Sequence, residues 1–173
     1  MRLEGRRILV TGGGRAIGRS IALACAAEGA RVLAVSRTPA ELEEVARSAG
    51  SGVAVAALDV TDRAQVERLP ERIAAELGGL DVLVNNAGVW MERTFLDYTR
   101  ADWDLTLASN LTALFDVTQV LLPGLLASPD ARVINIAAID GEVGFARLVA
   151  QCAAKFGVVG FTKALAKELW DRP

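Results

Sequence analysis

The chain has 173 residues, of which 52% are hydrophobic and 23% are charged, so it suits one packed domain and does not resemble a disordered chain. Its net charge of -2 argues against a nucleic-acid surface, which needs clustered lysine and arginine side chains. No consecutive apolar run approaches the roughly 20 residues of a membrane span, so no membrane partner is expected. We interpret Cys25 and Cys152 as reduced thiols of a cytoplasmic protein, and we predict no metal site.

The first half of the sequence alternates strands and helices. Short apolar runs that end at turn residues predict strands, and longer stretches with helical starts and stops predict helices. In chain order the predicted elements are a strand over 8–10, a helix over 17–28, a strand over 31–35, a helix over 39–49 and a strand over 53–58. Gly29 provides the stop after the first helix, and Pro39 begins the second.

The second half continues the alternation. The predicted elements are a helix over 62–77, a strand over 82–84, a helix over 101–126, a strand over 133–136 and a helix over 149–169. Thr61 is the predicted N-cap of the first of these helices, and Pro123 predicts a kink or an early stop in the second. Strands that are apolar on both faces and alternate with helices indicate a parallel sheet covered on both sides. We therefore predict one doubly wound, three-layered α/β domain over 1–173.

A glycine-rich loop, TGGGRAIG over 11–18, follows the first predicted strand and opens the first predicted helix. A dinucleotide-binding fingerprint requires that context, because backbone N–H groups and the helix dipole can hold a pyrophosphate there. The candidate cofactor-binding residues of this loop are Gly12, Gly14, Arg15, Ile17 and Gly18. The alternative is a glycine turn that only joins a strand to a helix. The expected sheet is Rossmann-like, with at least five strands in the order 3-2-1-4-5.

The end of the second predicted strand bears on the choice of nucleotide. NAD-binding proteins place an acidic residue there for the ribose 2′-hydroxyl, whereas an arginine accommodates a 2′-phosphate. Here the strand leads into Ser36 and Arg37, with no acid before Glu41, and Arg15 adds a second cation. We therefore predict NADP(H) in preference to NAD(H). The alternative is that both arginines are ordinary solvated side chains.

Further motifs extend over the whole chain. They are Leu58-Asp59-Val60 after the third strand, NNAG over 85–88, Asn110 in the long helix and GFTKALAKEL over 160–169. Together with the glycine loop, they give the chain a resemblance to the short-chain dehydrogenases/reductases, most of all to the 3-oxoacyl-acyl-carrier-protein reductases. The motifs occur in the family's order and spacing.

The resemblance implies roles for particular residues. Asp59 would bond the adenine amino group, with the Val60 backbone beside it. The residues that would line the adenosine side are Asn86, Ala87 and Gly88. Asn110 would bend the long helix and hold a water of the proton relay. Lys155 would bind the nicotinamide ribose; the alternative is a surface lysine that only extends its stem along the helix.

The sequence departs from the family at the two residues that run proton transfer. The family's tyrosine, four residues before the lysine, is replaced by Gln151, and its serine is replaced by Ala138. A carboxamide has no proton to give near neutral pH, whereas general acid catalysis contributes roughly 10²–10⁴ in rate. Asp140 and Glu142 could replace the acid only if a burial-raised pKa made one a donor, and we expect a solvated loop instead. Tyr98 is expected in surface packing.

Two other departures concern the glycine loop and the end of the chain. Ala16 stands where the family has a glycine, which we expect to have a minor effect on cofactor binding. The sequence ends after the last predicted helix, so the family's last two strands and substrate lid are expected to be lacking. The fifth strand would then keep an open edge. We predict a homo-oligomer formed through the long helices or through this fifth strand, or a missing part supplied from elsewhere.

Three functions remain open at this point. The first is NADPH-dependent reduction of a small carbonyl or 3-oxoacyl substrate, as the resemblance implies. The second is a non-catalytic module that binds the cofactor or a partner. The third is a truncated or altered fragment of an active reductase. We favour an NADP(H)-binding homologue whose reductase chemistry is impaired or absent, and whether the chain is an enzyme stays open.

Overall fold

The strands form one parallel sheet, as the alternating pattern predicts. A computed structural model describes residues 1–171. The strands are β1 (Arg7–Thr11), β2 (Arg31–Ser36), β3 (Val53–Ala57), β4 (Val82–Asn85) and β5 (Arg132–Asn135). Their order is β3-β2-β1-β4-β5 and every neighbouring pair is parallel, so the predicted Rossmann-like order is confirmed.

Helices cover both faces of this sheet. They are α1 (Ala16–Ala27), α2 (Pro39–Ala49), α3 (Arg63–Val66), α4 (Leu69–Leu77), α5 (Arg100–Leu107), α6 (Ala113–Leu126) and α7 (Val149–Glu168). Successive strand residues point to opposite faces. Leu9 and Leu83 therefore pack with α4 and α6, while Val10 and Val32 pack with α1 and α2. Two cores with the sheet between them give the predicted three layers.

The carboxyl ends of four strands bring polar side chains to one edge of the sheet. β1 ends at Thr11, β2 at Ser36, β4 at Asn85 and β5 at Asn135. In open parallel sheets, ligands bind in the crevice outside these strand ends. The candidate site is therefore built at this edge.

The helix predicted over 62–77 is wrong as a single element. It is broken into α3 and α4 between Val66 and Leu69. Asp62, not Thr61, caps α3, and its side chain accepts the backbone N–H groups of the next turn. Pro70 lies in the first turn of α4, where a proline fits because its missing N–H would have no partner there. The sequence thus contains a second helix start.

The long helix is continuous but changes its winding. A π-helical segment, Ala108–Thr112, joins α5 to α6. Asn110, which was expected to bend the long helix, lies in this segment, and such π-bulges are frequent at functional sites. The early stop predicted at Pro123 is wrong, because α6 continues to Leu126. Only one backbone donor is lost near the end of the helix, and Leu121 and Leu125 still anchor that turn in the core.

One helix among residues 1–171 is long and apolar enough to cross a membrane by length and composition alone. It is the composite helix Arg100–Leu126, whose most apolar window has a mean hydropathy of 1.3. The sequence prediction that no stretch approaches such a span did not anticipate it. The same helix contains the buried polar residues Thr106, Ser109 and Asn110 and packs on the sheet. We therefore interpret it as a core helix.

Candidate functional site

The glycine loop packs closely against the start of α1 and against the segment that follows β4. Gly12 has a φ of 64°, and a side chain at Gly18 would collide with the Gly12 carbonyl oxygen. Arg15 is the N-cap of α1 but gives it no side-chain hydrogen bond, and no acidic residue lies in the first turn. The N-terminus of α1 therefore has free backbone donors for an anion.

Ala16 is strained in this loop. Its φ of 44° lies in the left-handed region, which a residue with a Cβ atom adopts only at a cost. The replaced family glycine therefore matters for backbone conformation, an effect that the sequence analysis missed. The signal was available, because a glycine in such a loop commonly marks a positive φ.

The polar groups at the end of β2 lie beside the glycine loop. Ser36 Oγ is buried without a hydrogen-bond partner, 2.6 Å from where a Cβ on Gly14 would stand. Arg37 Nη1 lies 3.9 Å from Asp59 Oδ2, and Arg15 Nε lies 4.0 Å from Glu41 Oε1. Both arginine side chains are mostly exposed, at 58% and 76%. They can therefore turn toward a ligand at modest cost, because exposed ion pairs are weak.

Glu41 lies closer to the loop than its position in the sequence suggested. Its Oε2 would be 3.2 Å from a Cβ on Gly14. A carboxylate thus stands next to Ser36 and competes for Arg15. This acid opposes a 2′-phosphate and partly offsets the two arginines.

The predicted adenine contacts, Asp59 and Val60, lie at the end of β3. Asp59 Oδ1 accepts the Thr61 backbone N–H at 2.9 Å and its hydroxyl at 2.7 Å. Its Oδ2 faces Arg37, and Val60 is buried in the core. The carboxylate is therefore held at the β3 edge of the crevice, with one oxygen engaged by the chain itself.

The NNAG motif is joined to the glycine loop by hydrogen bonds. Asn86 Nδ2 donates to the Thr11 carbonyl at 3.0 Å and to the Gly12 carbonyl at 3.3 Å. Thr11 Oγ1 accepts the backbone N–H groups of Asn86 at 3.0 Å and Ala87 at 3.1 Å. Sequence reasoning did not single out Thr11, although it opens the same loop motif. These bonds fix β1 and β4 relative to each other at the crevice.

Asn110 joins the loop after β4 to α7 through its side-chain amide. Its Oδ1 accepts the Val89 N–H at 2.7 Å, and its Nδ2 donates to the Val89 carbonyl at 2.9 Å. Nδ2 also donates to Gln151 Oε1 at 2.8 Å. A Cβ on Gly88 would lie 2.7 Å from Asn110 Oδ1, so the glycine makes room for this arrangement.

These bonds determine which way the buried Gln151 amide points. The backbone groups of Val89 fix the donor and acceptor ends of Asn110, because an N–H can only donate and a carbonyl can only accept. The Gln151 atom that faces Asn110 Nδ2 must then be its oxygen. Gln151 Nε2 is left as a donor for another partner.

Lys155 lies one helical turn after Gln151 on α7. Its Nζ donates to the Ile136 carbonyl at 2.7 Å, just past the end of β5. Burial lowers the pKa of this ammonium below its ordinary value, and the Asp140 carboxylate opposes that shift. The amine therefore lies in the same crevice as Asn110 and Gln151.

The turn after β5 contains the remaining candidates. Ala138 precedes the 3₁₀ turn Ile139–Gly141 and offers no hydroxyl. The solvated loop expected for Asp140 is wrong, since this residue is only 2% exposed and neither carboxylate oxygen has a hydrogen-bond partner. Glu142 is exposed, as expected. Asp140 is buried because the turn packs on α7, where a Cβ at Gly141 would lie 2.9 Å from the Lys155 carbonyl oxygen.

The other possible proton donors lie away from this cluster. Tyr98 OH lies 3.5 Å from the Met91 carbonyl and 3.4 Å from the Arg147 carbonyl, in the loops that precede α5 and α7. Cys152 Sγ accepts the Phe145 N–H at 3.5 Å. Neither side chain is directed at Asn110 or Gln151 by these contacts.

The sheet order, the glycine loop and the polar strand ends define a Rossmann-type α/β protein. Residues 6–172 match the family model for the short chain dehydrogenases. The chain therefore belongs to the short-chain dehydrogenase/reductase family, which confirms the resemblance seen in the sequence. Family membership and the reductases among the relatives imply a nicotinamide cofactor.

Named relatives support the same assignment. Nodulation protein G of Rhizobium meliloti is 37% identical over 170 residues, which cover 98% of this chain and 69% of that protein. The 3-oxoacyl-acyl-carrier-protein reductase of Vibrio cholerae is 34% identical over 172 residues, with 99% and 70% covered. A crystal structure described as a short-chain alcohol dehydrogenase from Sinorhizobium meliloti 1021 has a TM-score of 0.91 at 35% identity, over 98% of this chain and 69% of that one.

Proposed function

We propose that this chain binds NADP(H) in preference to NAD(H) and that its carbonyl-reductase chemistry is impaired or absent. One observation supports the second part most directly: Gln151 occupies the family's proton-donor position, buried and bonded to Asn110. A small carbonyl compound remains the proposed substrate class, and 1–173 is proposed as one cofactor-binding domain.

The crevice suits a dinucleotide. A Cβ at Gly12 or Gly18 would collide with neighbouring protein atoms, so these glycines let the loop turn tightly onto α1. The start of α1 has free backbone donors, and Ser36 Oγ is a buried hydroxyl without a partner. The pyrophosphate would lie on the glycine loop, and Asp59 would take the adenine end. A bound nicotinamide supplies the hydride, while Lys155 would hold its ribose hydroxyls and Asn110 would keep α7 at the correct distance.

The preference for NADP(H) depends on two cations. Arg15 and Arg37 flank Ser36, and two guanidinium groups with a hydroxyl suit a phosphate. Glu41 reduces this advantage by holding Arg15 at 4.0 Å. We therefore propose a modest preference for NADP(H).

The impaired step is the transfer of a proton to the alkoxide that forms when a carbonyl is reduced. Gln151 Nε2 can donate a hydrogen bond to a substrate carbonyl or a ribose hydroxyl, but the amide does not release a proton near neutral pH. Ala138 offers no second donor to the developing alkoxide. The loss of an acid costs roughly 10²–10⁴ in rate, and the loss of an oxyanion donor costs roughly 10²–10³. These losses do not simply multiply, because such residues act as a unit.

A second candidate is a non-catalytic module that holds the cofactor or a partner. The hydrogen bond from Asn110 to Gln151 favours this candidate, because it stabilises the buried glutamine in a structural role that needs no catalysis. Exposed apolar side chains on the long helices, Leu105, Phe115 and Phe156, suit association with another copy. We propose a homo-oligomer through these helices or through β5, and a cytoplasmic location that fits the two free thiols.

The test is a calorimetric titration of the purified protein with NADPH and with NADH, followed by an absorbance assay with a 3-oxoacyl ester. We expect tighter binding of NADPH and no turnover above background. Gly18→Ala should abolish binding, because its Cβ would collide with the Gly12 carbonyl oxygen and displace the glycine loop, while Gly160→Ala, which enters open space, should leave binding intact. Turnover would contradict the impaired chemistry. Failure to bind either nucleotide would contradict the cofactor assignment.

A further inference from the structure

The carboxylate of Asp140 is a buried charge that the proposed function does not use. Both of its oxygens are inaccessible to water and lack hydrogen-bond partners, and the residue is 2% exposed. An isolated buried carboxylate is strongly unfavourable, so such groups are paired with an opposite charge or neutralised. A residue of this kind therefore needs a partner nearby.

The packing of the turn points to Lys155, which is not in direct ion-pair contact with Asp140 but lies on the helix segment that the turn covers. The turn Ile139–Gly141 packs against α7, and Gly141 approaches the Lys155 backbone so closely that a Cβ would stand 2.9 Å from its carbonyl oxygen. Lys155 Nζ reaches back to the Ile136 carbonyl, four residues before Asp140. The ammonium and the carboxylate thus lie within one strand–turn–helix unit.

Other ionisable groups near this unit are placed differently. Glu142 is exposed to solvent, and Cys152 directs its thiol toward the loop at Val143 and Phe145. Burial lowers the pKa of the Lys155 ammonium, and the Asp140 carboxylate acts in the opposite direction. Burial alone would favour loss of the lysine's proton, and the carboxylate counteracts this.

We propose that Asp140 is a positioning residue, whose buried carboxylate is the counter-charge that holds the Lys155 ammonium in the crevice. Its importance for the cofactor depends on the proposed role of Lys155 at the nicotinamide ribose, whereas the charge pairing does not. Asp140 lies on the turn that contains Ala138 and supplies a negative charge beside Lys155. Gln151, one turn before Lys155 on α7, has no hydroxyl that could interact with the lysine.

The small number of lysines makes the pairing directly measurable. The sequence contains three, Lys155, Lys163 and Lys167, and all lie on α7. Lys163 and Lys167 are exposed and serve as internal references. Lysine labelled with ¹³C at Cε gives three signals whose pH titrations can be followed in the cofactor-free protein, with Lys155→Arg to assign the buried one.

The decisive variant is Asp140→Asn, with Glu142→Gln as the matched control. We expect Asp140→Asn to shift the Lys155 titration to lower pH, because the amine remains partly buried and loses its counter-charge. Glu142→Gln removes the same charge two residues away on an exposed side chain and should leave the titration unchanged. An unchanged Lys155 titration in Asp140→Asn, or equal shifts in both variants, would overturn the pairing.

A double-mutant cycle covers the case in which Asp140→Asn is too unstable to titrate. Lys155→Met alone leaves the carboxylate unpaired, and Asp140→Asn alone leaves the ammonium unpaired. The double variant leaves neither, so we expect its unfolding midpoint to lie above that of either single variant. Losses that simply add would overturn the proposal.

Binding of NADPH then separates this inference from the proposed function. NADPH affinity should fall as the pH rises and Lys155 loses its proton. In Asp140→Asn, we expect this fall at a lower pH than in the unaltered chain, in parallel with the Lys155 titration. A shifted lysine titration without any NADPH binding would support the pairing and contradict the proposed function. NADPH binding with an unshifted lysine titration would support the proposed cofactor binding and contradict the pairing.

Discussion

Replacement of Ala16 by glycine should stabilise the protein, against the usual effect of glycine in a helix. Ala16 has a φ of 44° at the start of α1. A residue with a Cβ atom pays about 1–2 kcal/mol for the left-handed conformation, and glycine pays almost none. Glycine also adds freedom to the unfolded chain, which costs about 0.5–1 kcal/mol. The net gain is up to about 1.5 kcal/mol, with a midpoint near 0.75.

Ala24→Gly is the matched control for this prediction. Ala24 is exposed at the start of the last turn of α1, in ordinary helical conformation, so the same substitution should cost about 1 kcal/mol there. For a chain of this size, 1 kcal/mol moves the unfolding temperature by about 2–4 °C. Thermal and urea unfolding should therefore place Ala16→Gly above the unaltered chain and Ala24→Gly below it. Equal destabilisation by the two variants would refute the argument that Ala16 is strained.

Two further predictions follow from charged groups. Arg37→Ala should weaken NADPH binding about tenfold and leave NADH binding unchanged, because a charge-assisted bond of about 1.5 kcal/mol to the 2′-phosphate is lost; equal losses for both nucleotides by calorimetry would contradict this. Hydrogen bonds from the Arg7 side chain, with those from its backbone and from Ser128, hold the pKa of Asp81 well below its usual range despite the opposing effect of burial. The stability from Asp81 is therefore fully present above a pH of about 4 and is lost as the pH falls toward the lowered folded-state pKa. Asp81→Asn should reduce the free energy of unfolding by roughly 1–3 kcal/mol at neutral pH and flatten its fall in acid, measured by urea unfolding across pH; an unchanged acid profile would contradict the linkage.

Local sequence patterns predict most of this fold because its determinants are local. Short apolar runs predict all five strands, and the alternation with helices predicts their parallel order. The break at Pro70 was missed because the apolar periodicity continues across it. The early stop at Pro123 was wrong because burial of Leu121 and Leu125 outweighs one lost hydrogen bond.

The site is less predictable, because its geometry depends on contacts between distant segments. The motifs identify Asn110 and Lys155, but the bond from Asn110 to Gln151 joins residues 41 positions apart. Asp140 was expected in solvent since a short polar turn after a strand is usually exposed. Its burial follows from the packing of that turn on α7, which no local pattern encodes.

We propose that the crevice holds a nicotinamide cofactor but lacks the family's proton donor. The most direct measurement compares NADPH oxidation by the unaltered chain and by Gln151→Tyr combined with Ala138→Ser, with the same 3-oxoacyl ester and with NADPH affinity measured for both. We expect similar NADPH affinities and a rate at least about 10²-fold higher in the double variant. Turnover by the unaltered chain at the rate of the double variant would contradict this proposal.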